Sequence, residues 1–148
     1  VVSQSAVQHV ESDLTFFRHV RDAVQQSGTE TIQVHFVPSR IALTLDGEQG
    51  VRQYSPRTVS LVARLFRTFS YSILYALGGR ASSAAQWKLV NGPRRHEDQE
   101  DVREARPQEY DRRLRQAILR DNRQQSGEPH YYALVIHSHY QQRIFDGG

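Results

Sequence analysis

Residues 31–45 read TIQVHFVPSRIALTL. Apolar and polar side chains alternate over 31–37, and apolar residues alternate again over 41–45, which is the period-two pattern of a half-buried β-strand. Residues 38–40 (PSR) separate the two runs and are typical of a turn. The stretch therefore predicts a β-hairpin.

Three helices are predicted around this hairpin. Ser12 is a suitable N-cap for the first helix, which ends at Gly28. The second and longest covers residues 55–77, because Pro56 stands near its first position and apolar residues recur at spacings of three and four. The third begins at Pro107, and its acidic and basic residues form i,i+4 pairs.

Further strands are predicted at 85–90 (AQWKLV) and 131–140, with a short edge strand within residues 1–10. The half-buried character of the strands favours an antiparallel sheet over a doubly wound parallel one. We predict a single α+β domain over residues 1–148, a two-layer sandwich in which three helices pack on a mostly antiparallel sheet of four or five strands. Residues 93–107 are dense in charge and are predicted to form an exposed loop or a loose helix.

Arginine dominates the cations of this chain. Of the 19 basic residues only Lys88 is a lysine, and 16 acidic residues leave a formal net charge of +3. Arginine suits phosphate, carboxylate and aromatic surfaces better than lysine does. The bias therefore favours binding to a polyanion or a protein, unless it reflects composition alone.

Several classes of protein are disfavoured by what the sequence lacks. The absence of cysteine excludes disulfides, thiolate catalysis and iron–sulfur clusters. No apolar stretch of about 20 residues occurs, so no membrane span is predicted. The motifs G-x-S-x-G, H-E-x-x-H and G-x-G-x-x-G are missing. We therefore predict a protein without catalytic residues or a cofactor. We also expect it to be intracellular, although the absence of cysteine does not indicate the compartment.

Arginines of the predicted long helix form the first candidate site. They recur on the face opposite its apolar residues, and no acidic residue shares their stripe. Such a stripe can contact a phosphate backbone or an acidic partner, or can simply be the solvated face of an amphipathic helix. Together with isolated arginines further along the chain, the candidate binding residues are Arg57, Arg64, Arg67, Tyr71, Arg80, Arg94 and Arg95.

Two histidines on the last predicted strand form a second candidate site. His137 and His139 are two apart and are predicted to point to the same side, where His35 could complete a metal site. The segment 127–139 (GEPHYYALVIHSH) resembles the metal-binding strand of rolling-circle replication initiators, which implies a metal-dependent nuclease. Tyr132 stands where that family has its second histidine. The alternative is a pair of surface histidines on an edge strand.

The last six residues, 143–148 (RIFDGG), form a third candidate. Their diglycine ending resembles the tail of a mature ubiquitin-like modifier, although the predicted helices exceed what that family would have. The alternative is a flexible tail.

Our leading prediction is a non-enzymatic interaction subunit that docks within a larger protein or ribonucleoprotein assembly through arginine- and tyrosine-rich surfaces. Tyrosine, tryptophan and arginine are the residues enriched at binding hot spots. The predicted exposed aromatic residues are Tyr54, Tyr71, Trp87, Tyr131 and Tyr140. The first alternative is a nucleic-acid-binding domain that uses Arg57, Arg64 and Arg67. The next alternatives are a metal-dependent nuclease and a ubiquitin-like modifier.

Overall fold

The structure is a computed structural model. It describes residues 1–4, 7–9, 11–42, 52–91, 102–124 and 127–140, and the observations below concern these ranges. Within them the protein is α+β, with one four-stranded mixed sheet. The predicted α+β class is thus confirmed, whereas the packing of three helices in a two-layer sandwich stays a prediction.

The sheet has the strand order β1-β2-β4-β3. Its strands are β1 (Val2–Gln4), β2 (Thr31–Pro38), β3 (Ser70–Leu77) and β4 (Tyr131–Ser138). β1 runs parallel to β2, with Val2 opposite Val34. β3 runs antiparallel to β4, because the start of β3 is hydrogen-bonded to His139, at the end of β4, and the end of β3 is hydrogen-bonded to His130, at the start of β4. The last strand in sequence is therefore central, and β3 lies at an edge.

The helices described are α1 (Asp13–Ser27), α2 (Pro56–Arg64), α3 (Arg80–Gln86), α4 (Val102–Ala105) and α5 (Pro107–Gln124). α1 ends because Gly28 adopts a left-handed conformation with φ of 60°. α2 begins where the Ser55 hydroxyl accepts a hydrogen bond from the Thr58 N–H, at 3.2 Å. A 3-10 turn lies at Val7–His9, and a π-helical turn follows α3 at Trp87–Asn91.

The predicted hairpin is only half present. Its first strand is β2, but residues 40–42 are helical, so the predicted second strand is wrong at its start, and 43–45 lie outside the described residues. Ser39 explains the change. Its hydroxyl accepts a hydrogen bond from the Ile41 N–H at 3.1 Å and donates one to the Pro129 carbonyl at 2.5 Å. A serine in this role starts a helical turn instead of continuing a strand.

The predicted long helix over 55–77 is wrong beyond Arg64. From Leu65 onward the backbone bonds span three residues instead of four, as in the 3.0 Å bond from Leu65 to Val62, so the helix tightens and ends. Residues 70–77 then form β3. The strand predicted at 85–90 is also wrong, because this alanine-containing segment continues α3 into the π-helical turn.

Other predicted elements are confirmed: the first helix, the strand at 31–37, the edge strand within 1–10, and the helix that begins at Pro107. The strand predicted at 131–140 is present but ends at Ser138. The charged segment 93–107 is described only from 102, where α4 and the start of α5 are helical. None of the helices in the described ranges has the length and apolar character that crossing a bilayer requires.

The chain divides into two compact units. Unit one comprises Val1–Val37, Tyr54–Tyr75 and Ala133–Gly148, and unit two comprises Pro38–Gln53 and Ala76–Tyr132. In unit one Phe17, Phe66 and Ile136 are fully buried core residues. Tyr54 is buried as well, so the prediction that it is an exposed aromatic residue is wrong. In unit two Leu89 and Val102 are buried, and Tyr110 packs against them. The prediction of a single domain stays a prediction.

Candidate functional site

β3 is an exposed edge strand with an apolar sequence, SYSILYAL. Its five large apolar side chains keep between 37% and 51% of their surface exposed. Edge strands in soluble proteins are usually blunted by charged residues, proline or bulges, since their free backbone groups can pair with another chain. β3 contains no charged residue, no proline and no glycine, so its sequence has none of the usual blunting residues.

The backbone of β3 presents a defined set of hydrogen-bonding groups outward. The carbonyls of Phe69 and Leu77 accept hydrogen bonds from the N–H groups of His139 and His130, at 2.8 and 2.9 Å. Both carbonyls belong to odd-numbered residues, and backbone groups alternate in direction along an antiparallel strand. The even-numbered residues 70, 72, 74 and 76 therefore direct their N–H and C=O groups away from β4.

One face of the sheet carries α1. Phe17 of α1 meets the ring of His35 edge to face at 5.0 Å between centroids, and both line a small cavity with Leu134 of β4. Side chains alternate along a strand, so even-numbered residues of β2 lie on the other face. One of them is Ile32, which is 56% exposed.

The face away from α1 continues onto β3. Tyr71 contacts His137 of β4, three residues beyond Leu134, and Ile73 and Tyr75 share its side of β3 by alternation. We call this the open face, defined by Ile32, Val34, Phe36, Tyr71, Ile73 and Tyr75. Each of these side chains is exposed or half-buried. The open face and the β3 edge together form the candidate docking surface.

A chain of hydrogen bonds holds one end of the open face. The Tyr71 hydroxyl lies 2.8 Å from Nδ1 of His137, and Nε2 of His137 lies 2.8 Å from a carboxylate oxygen of Glu30. Tyr140 packs edge-on against both rings. A hydroxyl, an imidazole and a carboxylate in this order can form a continuous chain of hydrogen bonds. In this arrangement they fix the ring of Tyr71 where β3 begins.

The histidines predicted to bind metal occupy three different environments. Both ring nitrogens of His137 have the partners just described, and Nε2 of His139 lies 3.1 Å from the Val24 carbonyl. His139 also has a positive φ of 53°, which breaks the alternation that would align it with His137. His35 is buried in the core. In the described ranges no group of three histidine, aspartate or glutamate side chains could hold a metal ion.

Burial also governs the protonation of His35. Its Nδ1 lies 2.8 Å from the Ser3 hydroxyl and its Nε2 lies 3.2 Å from the Gln33 side-chain oxygen. Burial, helped by the charge of the N-terminal amine, lowers the pKa of His35 to about 4. The neutral ring accepts a hydrogen bond from Ser3 and donates one to Gln33. Such a histidine belongs to the core and is poorly placed to bind a metal.

The candidate arginines do not form one helical stripe. Arg57 and Arg64 lie on α2, Arg67 follows its end, and Tyr71 belongs to β3, so the prediction of a single helix face is wrong. All three arginines are exposed, and none of their side chains has a hydrogen bond or ion pair within the part of the chain that the structure describes. Arg80 begins α3 in unit two, and Arg94 and Arg95 lie outside the described residues, as does the diglycine tail.

The arginines of α5 behave differently. Glu109 accepts ion pairs from Arg113 at 2.5 Å and from Arg106 at 3.0 Å. The i,i+4 pairing predicted for this helix is confirmed for Glu109 and Arg113, and Arg106, which precedes the helix, pairs with the same carboxylate. Pairs of this kind on an exposed helix contribute little to stability or binding. Arg57, Arg64 and Arg67, which have no ion pair within the described ranges, are therefore the better candidates for an external partner.

Unit two is organised by one buried carboxylate. Asp121 of α5 accepts hydrogen bonds from the backbone N–H groups of Ala81 and Ser82, both at 2.8 Å, and so caps α3. Burial on its own would raise the pKa of Asp121, but hydrogen bonds from Ser82 and Ala81 and the nearby charge of His130 outweigh it and lower the pKa. This interaction is structural and does not form a site.

No protein-family model, no curated protein and no solved structure matches this chain. The residues that sequence reasoning missed are Ile73, Leu74 and Tyr75, which it assigned to a helix. The signal that could have identified them is the recurrence of tyrosine and isoleucine at residues 71, 73 and 75, since these residue types favour a strand.

Proposed function

We propose that this protein is a non-enzymatic interaction subunit that docks onto a protein partner through the β3 edge and the open face. The observation that carries the proposal is an eight-residue edge strand without charge whose apolar side chains are exposed. In this proposal the sheet is one layer of a two-layer sandwich with three helices packed on it, the other face receives the partner, and the assembly is intracellular.

The size of the surface supports docking. Ile32 and the five large apolar residues of β3 keep 37–56% of their surface. At about 200 Å² for a large side chain, they expose about 550 Å² in all, divided between the two sides of β3 and the β2 part of the open face. A sum of this size is comparable with the roughly 300–600 Å² of the largest apolar patch on a typical monomer. A standard protein interface buries about 800 Å² on each partner, and an added strand along β3 would supply the remainder.

The mode of binding follows from the geometry. A strand laid along β3 would take up the backbone groups of residues 70, 72, 74 and 76, while Tyr71, Ile73 and Tyr75 would contact side chains of the partner. Backbone hydrogen bonds supply affinity in this mode and alternate side chains supply specificity. We expect a partner with an extended, uncharged segment.

The test compares two lysine variants. Ile73→Lys places a charge on the docking surface, where Ile73 is 43% exposed, and Leu61→Lys places one on an apolar side chain of α2 that is 49% exposed. Tagged wild-type and variant proteins are used to capture partners from the source cells, and the captured protein is identified, purified and titrated against each form. We expect Ile73→Lys to abolish binding of the purified partner and Leu61→Lys to leave it unchanged. Equal binding by all three proteins would refute the proposal.

A second candidate function is nucleic-acid binding through Arg57, Arg64 and Arg67. The observation that favours it is that all three guanidinium groups are exposed and lack an ion pair in the described ranges. Three phosphate contacts on duplex DNA predict that affinity falls about 40-fold between 50 and 200 mM salt.

This function is measured by fluorescence anisotropy with short labelled RNA and DNA. The double variant Arg64→Glu/Arg67→Glu should lose most of the binding and most of its salt dependence. Arg113→Glu is the control, because Arg113 is already engaged by Glu109. Binding that ignores both salt and the double substitution would remove this candidate.

A further inference from the structure

We infer that the β3 edge binds β3 of a second copy of this chain, antiparallel, about a two-fold axis that passes through Ile73. The inference rests on the proposed function, since it names the partner of the same docking surface. It joins two four-stranded sheets into one continuous sheet of eight strands. The interface is self-complementary, as a two-fold dimer requires.

The register follows from symmetry. Residues opposite one another in an antiparallel pair lie on the same face, so the numbers of a symmetric pair must add to an even sum. An axis at Ile73 places Tyr71 opposite the partner's Tyr75, and Ser72 opposite the partner's Leu74. All paired positions, 70 to 76, then lie within β3. The register pairs tyrosine with tyrosine twice, and aromatic cross-strand pairs are favourable.

The free backbone groups match this register. Residues 70, 72, 74 and 76 direct their N–H and C=O groups outward, as the contacts of Phe69 and Leu77 with β4 require. In the proposed pairing 72 faces 74 and 70 faces 76, so all four positions become hydrogen-bonded pairs, with about eight bonds in total. Ile73 then meets the partner's Ile73 in a non-hydrogen-bonded pair, where the Cα atoms approach to about 4.5 Å.

A second copy suits the chemistry of this strand. Charged residues on an edge strand usually prevent it from pairing with another copy of itself, because like charges would then meet. β3 carries no charge, so pairing with a second β3 brings no like charges together. The five large apolar side chains offer about 440 Å² per copy at about 200 Å² each. The resulting total of about 900 Å² is below the 1,200–2,000 Å² of a standard interface. We therefore expect a dimer that dissociates in the micromolar range.

The absence of cysteine from the chain makes the register directly measurable. Ile73→Cys introduces a single thiol whose Cα separation across the axis is within the range that a disulfide tolerates. Mild oxidation of the full chain, followed by a non-reducing gel, should convert Ile73→Cys into a covalent dimer. Leu61→Cys, on α2, is the exposed control and should stay monomeric. Leu74→Cys tests the neighbouring register and should cross-link poorly.

Light scattering on the wild-type protein completes the experiment. The mass should rise from 17.1 kDa towards twice that value as concentration increases through the micromolar range. Ile73→Lys should stay monomeric, and Ser72→Lys provides a second charge on the same edge if the first variant does not fold. Circular dichroism establishes that each variant is folded.

Each outcome decides the inference. A wild-type dimer that Ile73→Lys disrupts and that Ile73→Cys traps supports it. Dimers that persist in both lysine variants, or that only Leu74→Cys traps, overturn it. A wild-type monomer overturns the second copy as partner. If that monomer still captures a different protein through Ile73, the proposed function survives, and if it captures none, both fail.

Discussion

Protonation of His35 is expected to destabilise this protein as the pH falls. The ring is fully buried and its pKa is lowered from 6.5 to about 4 by that burial. The fold therefore favours the neutral ring, whereas the unfolded chain binds a proton near pH 6.5. The contribution of the neutral His35 ring to the stability of the fold is fully present above pH 6.5 and is lost as the pH falls towards 4.

The size of the effect follows from the two pKa values. With 6.5 in the unfolded chain and about 4 in the folded one, the free energy of unfolding falls by about 2 kcal/mol between pH 7 and pH 5. By pH 4 the loss reaches about 3 kcal/mol. For a small protein this is a large part of the total stability.

Urea unfolding at pH 7 and pH 5 tests this magnitude. His35→Gln keeps a polar side chain between Ser3 and Gln33 but cannot titrate, so its stability should lack the loss of about 2 kcal/mol that the wild type shows. His19→Gln is the control, because His19 is exposed on α1 and should leave the wild-type loss intact. An equal loss of stability in His35→Gln and in the wild type over the same interval would show that His35 does not cause the pH dependence.

Three further substitutions test the packing, each measured by urea or thermal unfolding. Asp121→Ala leaves the N–H groups of Ala81 and Ser82 without an acceptor and should lower the free energy of unfolding by about 3 kcal/mol. Because the fold lowers the pKa of Asp121, this contribution should be lost as the pH falls below 3.8. Tyr54→Phe removes a buried 2.7 Å bond to Asp13 and should cost about 2 kcal/mol. Gly28→Ala meets no clash, so its cost of about 1 kcal/mol comes from the left-handed backbone, and a neutral result would contradict that.

The helix over 55–77 was predicted wrongly for a physical reason. Leu65, Phe69, Ile73 and Leu77 are spaced by four, and a spacing of four places residues on one face of either a helix or a strand. A half-buried strand would have shown polar residues in between. β3 has serine at 70 and 72, but Leu74 and Ala76 replace polar residues further along, so the alternation is incomplete and the helical spacing prevailed.

Elements with one buried face were predictable, because burial imposes a pattern. Apolar residues alternate with polar ones along β2 and recur at spacings of three and four along α1, because one side of each element is buried. These patterns are visible in the sequence. Tertiary contacts decided the rest. Ser39 is drawn into a helical turn by the Pro129 carbonyl, 90 residues away, and no local pattern reports such a contact. The docking surface escaped prediction because it rests on strand order, which brings β3 to an edge.

The central place of β4 has a consequence for synthesis. β3 pairs only with β4 among the described strands, and about fifty residues separate the end of one from the start of the other. At 5–20 residues per second, a ribosome needs about 3 to 11 s to add them. For those seconds the uncharged segment 70–77 has no partner on either side. A chaperone that recognises extended apolar segments would find its binding site there until the last strand emerges.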